Sequence, residues 1–110
     1  IVPVSGHHSE RFEVTGYRIG RMAYLTDFKT IADAEVGKLI GVELLVVNAL
    51  RFRPHPSHFN VEEALALIAR VAPCRALITH VSHEIGRHAA TTALLPRGVE
   101  LAYDGLEIII

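Results

Sequence analysis

Glu43-Leu44-Leu45-Val46-Val47-Asn48-Ala49-Leu50, ELLVVNAL, decides the fold class. A short unbroken apolar run of this kind is a strand buried on both faces, the pattern of a strand inside a covered sheet. A Pro-rich loop follows from Arg51 to Phe59. Asn60 is then placed as an N-cap, with Glu63 at the third helical position to complete a capping-box pair. Val61, Ala64, Leu65, Ile68 and Val71 fall at helical spacing along one face, and Pro73 stops the helix. Arg75 to Thr79 is the next apolar strand. Strand, helix and strand in this order predict an α/β layered domain, with helices packed on a sheet.

Outward from this unit the pattern continues. The chain opens on the strand-like Ile1-Val2-Pro3-Val4, and Arg11–Ile19 and Met22–Thr26 read as strands joined tightly through Gly20. Ala32 to Ile40 reads as a short helix ended by Gly41. Beyond Thr79 the sequence predicts a helix within Glu84 to Leu95. A hairpin of Val99–Tyr103 and Leu106–Ile110 follows, turned by Asp104-Gly105, a favoured type I′ pair. No internal repeat or low-complexity segment interrupts the chain.

Composition bounds the rest. At 110 residues the chain is one domain or part of one. It is 50% hydrophobic and only 21% charged, and its mean hydropathy of +0.31 is high for a soluble domain of this size. The apolar runs fall far short of the ~18 residues that a membrane span needs, so the excess predicts surfaces covered by more protein. A net charge of -1 gives no support to a nucleic-acid partner. The single cysteine, Cys74, excludes an internal disulfide and a cysteine-rich zinc site. No signal peptide is visible and the first residue is Ile1 rather than Met, so the chain is expected to be cytoplasmic and cut from a longer protein.

Ser82-His83-Glu84-Ile85-Gly86-Arg87-His88 invites comparison with the H-E-x-x-H helix of zinc proteases. That motif needs histidines four apart on one helix face; here they are five apart and point roughly 140° away from each other. The protease reading fails on geometry. More informative is where polar residues follow apolar strands. Met22–Thr26 leads into Asp27, Arg75–Thr79 into His80, and the run to Leu50 into a loop carrying His55 and His58. Ligands of α/β sheets gather beyond the carboxyl ends of strands. Asp27, His58 and His80 are therefore expected at one rim, a set suited to metal-assisted hydrolysis. Each has a plainer reading too: Asp27 as a turn residue, His80 as a hydrogen-bonded strand end, His55 and His58 as loop polarity, Arg51 and Arg53 as a solvated face or a phosphate contact. Spacing alone leaves these alternatives open.

Four strings occur in order: G-Y-R-I-G-x-x-A-Y-L-T-D (Gly16 to Asp27), N-A-L-R-x-x-P-H-P-S-H-F (Asn48 to Phe59), L-I-T-H-V-S-H (Leu77 to His83) and L-P-R-G-V-E-L-A-Y-D-G-L-E-I (Leu95 to Ile108). Together they resemble the C-terminal half of metallo-β-lactamase-fold hydrolases. The branch they resemble is the cyclic-phosphate phosphodiesterase of the phosphonate-degrading C–P lyase pathway. The resemblance implies that residues 1–110 are the second half of a four-layer αββα sandwich, a mixed sheet with helices on one face. It implies two divalent ions, manganese or zinc, with Asp27 bridging them and His80 and His8 as further ligands; His7 competes with His8 for that match. His58 would protonate the leaving group, and imidazole's ordinary pKa of about 6.5 suits the task. His55 and His83 would support the site, with Arg51 beside them.

The superfamily's H-x-H-x-D-H block is absent from the sequence, which implies that the parent protein is the enzyme and that this chain alone is not competent. The resemblance implies a small phosphate ester as substrate. The alternatives are a ribonuclease of the transfer-RNA 3′-processing kind, or a degenerate half-domain used for dimerisation. With no second half to cover it, the inner sheet face is expected to be stranded, Leu44, Val46, Leu77 and the Ile108–Ile110 edge included, and the chain to form a homodimer.

Overall fold

The apolar runs become strands of one mixed sheet in the structure, a computed structural model that describes residues 1–9, 12–49, 59–79 and 95–101. The elements are β1 (Val2–Ser9), β2 (Phe12–Ile19), β3 (Met22–Leu25), α1 (Asp33–Val36) running into a 3₁₀ turn (Gly37–Leu39), β4 (Leu44–Asn48), α2 (Val61–Val71), β5 (Arg75–Thr79) and β6 (Val99–Leu101). The strands lie side by side in chain order, as a six-stranded sheet. β1, β2 and β3 pair antiparallel, and β3 to β6 pair parallel. The sheet is mixed, as expected, and β1 runs in the same direction as β3 to β6.

Both helices pack on one face. Val36 and Leu39 from the α1 region and Val61, Ala64, Leu67, Ile68 and Val71 from α2 join Ala23, Leu25, Leu45, Val47, Ala76 and Ile78 of the sheet in one buried cluster. All five residues of β4 are buried, which is what its unbroken apolar run requires. The capping box forms as read: Asn60 Oδ1 accepts the Glu63 N–H at 2.8 Å, and Glu63 Oε1 accepts the Asn60 N–H at 3.0 Å. α2 ends at Ala72, which turns left-handed at φ 52 just before Pro73.

Several boundaries differ, each for a physical reason. The helix expected over Ala32–Ile40 is a single α turn that tightens to 3₁₀ from Gly37. Its N-cap, Ala32, has no side chain able to cap it, and Gly37 weakens the middle. On α2 the inward face takes Leu67, while Leu65 is only half-buried. β3 stops at Leu25 because Asp27 takes up a left-handed turn. β1 runs on to Ser9, well past the strand-like start. The helix read within Glu84 to Leu95 and the hairpin beyond Leu101 lie essentially outside the described residues.

The second sheet face also needs a correction. Leu44, Val46 and Leu77, expected to be stranded, are only 5%, 7% and 5% exposed and cluster together with Met22 packed against them. They sit mid-sheet, flanked in register by side chains of the adjacent strands: Leu44 between Met22 and Arg75, Val46 between Tyr24 and Leu77. The apolar side chains exposed on that face are further along it, Tyr17 and Ile19 of β2 and Tyr24 of β3, between 44% and 54% exposed. No helix among the described residues is long and apolar enough to cross a membrane.

Candidate functional site

Strand direction gathers the site. Because β1 runs parallel to β3–β6, the C-terminal ends of β1, β3, β4, β5 and β6 share one edge of the sheet. His8 lies near the end of β1, Asp27 follows β3, Asn48 ends β4 and Thr79 ends β5. This is the edge at which ligands of such sheets bind.

His8 and Asp27 come together there, both half-buried. His8 Nδ1 lies 3.0 Å from the Asp27 carbonyl oxygen. A carbonyl only accepts, so Nδ1 is the donor in this contact. An imidazole oriented through one nitrogen by a carbonyl is the usual arrangement of a metal-binding histidine. His7, the competing match, points the other way. Strand alternation turns its exposed side chain to the opposite face, and its backbone instead pins the turn. His7 N–H donates to Thr30 O at 3.0 Å, and His7 O accepts from Lys29 N–H at 2.7 Å and Thr30 N–H at 3.2 Å.

The turn carrying Asp27 is tied down on every side. Asp27 has a φ of 63, left-handed for a residue with a Cβ. Phe28, next in the chain, buries its ring completely in the core beneath β1. Gly6 permits that approach, since a Cβ there would sit 2.2 Å from the Phe28 ring and 2.8 Å from the Thr30 oxygen. Lys29 Nζ pairs with both carboxylate oxygens of Glu63 at 2.8 and 2.9 Å, joining the turn to the first turn of α2. Phe59 N–H donates to Phe28 O at 2.8 Å, tying the residues just ahead of α2 to this same turn.

Of the residues read from the sequence, the structure thus brings His8 and Asp27 together. His58, His80, His55, His83 and Arg51 lie outside the described residues. No group of three or more His, Cys, Asp or Glu close enough to hold an ion occurs among the described residues. The contact itself runs from the His8 ring to the backbone carbonyl of Asp27; imidazole nitrogen and carboxylate oxygen are, by residue type, ordinary ligands for zinc or manganese. The sequence reading missed Asn48. Its signal was a lone amide in an apolar run, and it is 0% exposed.

Residues 1–81 match the family described as the beta-lactamase superfamily domain. The chain is 41% identical over 101 residues, 91% of its length, to an octanoyltransferase of Porphyromonas gingivalis (strain ATCC BAA-308 / W83), of which it spans 20%. It superposes on the crystal structure of a diphosphatase from the PhnP family with a TM-score of 0.94 and 38% identity, over 99% of this chain and 42% of that one. The metallo-beta-lactamase fold protein YhfI from Bacillus subtilis shares the fold, with a TM-score of 0.67 and 17% identity over 94% of this chain and 47% of that one. The chain therefore spans between a fifth and just under half the length of these relatives.

Proposed function

The chain belongs to the beta-lactamase superfamily domain family, and from that membership we propose that it is part of a metal-dependent hydrolase of small phosphate esters. The metallo-β-lactamase fold, whose neighbours here include a diphosphatase, generally holds divalent metals. The observation that carries the proposal is the His8–Asp27 contact: an imidazole with Nδ1 committed to the backbone carbonyl of Asp27, at the strand-end rim.

His8, Asp27 and His80 would hold two divalent ions, manganese or zinc. When bound, these would supply Lewis acidity at the phosphoryl oxygens and make water acidic enough to react near neutral pH. His58 would give its proton to the departing alkoxide. His55, His83 and Arg51 would orient these groups or the phosphate. The diphosphatase is named for a P–O–P substrate, and phosphoryl chemistry is common to that reading and to the phosphodiesterase one. The transferase name belongs to a protein in which the matching segment is a fifth of the length.

The test is made in the whole protein, with metal content and turnover of a bis-nitrophenyl phosphate measured together. His58→Ala should lower kcat by about 10²–10⁴-fold with metal content near normal. His8→Ala, Asp27→Ala and His80→Ala should lose metal. Unchanged metal content in all three would remove the proposal, and equal metal loss in His58→Ala would make His58 a ligand. We further propose that this chain, expressed alone, pairs with a second copy through the face bearing Tyr17, Ile19 and Tyr24, for which their exposure is the support. A 12.1 kDa species at tens of micromolar in sedimentation equilibrium would refute pairing.

A further inference from the structure

We propose that Asn48 is a positioning residue, whose side-chain amide holds the Asp27 turn in place through the Phe28 backbone. Its oxygen accepts the Phe28 N–H at 2.9 Å, and its NH₂ donates to the Phe28 carbonyl at 2.9 Å. Both polar groups of one residue are thereby answered by one side chain. The pairing also fixes which end of the amide is which, since a backbone N–H requires an acceptor and a carbonyl a donor.

Three observations point to positioning rather than packing. Asn48 is 0% exposed at the end of a strand whose other residues are Leu and Val. An apolar side chain would be the cheaper occupant there, because burying an amide is unfavourable unless all its bonds are made. The residue just ahead of the clamped Phe28 is Asp27, which needs its backbone held at a φ of 63. The same Phe28 carbonyl also receives the Phe59 N–H at 2.8 Å. Asn48 and Phe59 flank the segment that carries His55 and His58, so both of its ends are referenced to the peptide that follows Asp27. Only a carboxamide of this length fits the role. Aspartate would accept from Phe28 N–H but could not donate to its carbonyl, and leucine could do neither.

The functional part of this inference rests on Asp27 holding metal, so the experiment separates the two. In the whole protein, manganese affinity is measured by calorimetry for Asn48→Leu, for Asn48→Asp should the leucine variant not fold, and for Leu67→Ala. The last removes a buried side chain from the middle of α2 that makes no hydrogen bond to the Asp27 turn. Asn48→Leu should weaken manganese binding about 10–100-fold, the range of residues that orient ligands. Leu67→Ala should lower the melting temperature but leave the affinity unchanged. Unchanged affinity in the Asn48 variant, or equal weakening in both variants, overturns the proposal.

A second readout needs no metal. If Asn48 holds the left-handed turn, a glycine at 27 holds it unaided, so the loss in melting temperature caused by Asn48→Leu should shrink in an Asp27→Gly background. Additive losses overturn the clamp even if Asp27 proves to bind metal. Should Asp27→Ala retain full manganese affinity, the proposed function falls, and the melting-temperature comparison still judges the clamp.

Discussion

Two turns of this chain place a residue in the left-handed region within a few positions of each other, and they are built in opposite ways. At the β2–β3 hairpin, Gly20 has a φ of 59 with open space around the position of its missing Cβ. At the end of β3, Asp27 has a φ of 63, flanked by Phe28, which is buried and bonded to two other parts of the chain. The first turn is solved locally by choice of residue. The second is solved by tertiary structure, which forces a residue with a side chain where glycine would sit more easily. A fold meets that difficulty where the side chain itself is wanted, and under the proposed function that side chain is the Asp27 carboxylate.

The comparison is broken most sharply by exchanging the solutions. Asp27→Gly should abolish metal binding and turnover while raising the melting temperature of the metal-free protein, because glycine relieves the left-handed backbone. Retained metal would show Asp27 to be a turn residue and nothing more. Gly6→Val should come next, as overpacking against Phe28 costs about 1–3 kcal/mol or more and disturbs the turn from beneath. Chemical denaturation would read the loss, and an unchanged midpoint would mean that the ring moves freely. Gly20→Ala should cost only about 1–2 kcal/mol, the penalty of a Cβ in that region, and leave metal affinity alone. Arg21→Ala, beside that hairpin, should stay within about 0.5 kcal/mol, since the Arg21–Glu43 pair is exposed on both sides at 3.3 Å. A larger loss would mean that the hairpin depends on tertiary bonds after all.

What was legible in the sequence follows the same division. The Asn60–Glu63 cap, the apolar runs of β4 and β5 and the Gly20 hairpin could be read because each is specified by neighbours in the chain. The four strings from Gly16 to Ile108 carried the family, which the match over residues 1–81 bears out, and the PhnP-family structure supports the branch. The second half of β1 was not legible. In Val4, Gly6 and His8 the inward positions are filled by a glycine and a histidine, so no alternation of apolar residues marks them. Asn48 hid in an apolar run, because its purpose is a bond to a residue 20 positions away. Leu44, Val46 and Leu77 were read as uncovered, whereas they are buried in a small cluster of their own in the middle of the sheet. His58 and His80 fall outside the described residues, and their roles stay proposals.

The order of the strands has a consequence for how the chain folds. Among the described residues every strand lies beside its sequence neighbour, so none of these pairings waits for a strand from further along the chain. Closing a loop costs entropy that grows with its length, and sheets dominated by distant pairings form slowly for that reason. Here the β1–β3 meander can form first, and β4, β5 and β6 can be added one at a time at the growing edge. His8 and Asp27 both belong to the stretch from β1 to the turn after β3, but the clamp on that turn comes from Asn48, so this part of the site would be completed only as β4 joins the meander.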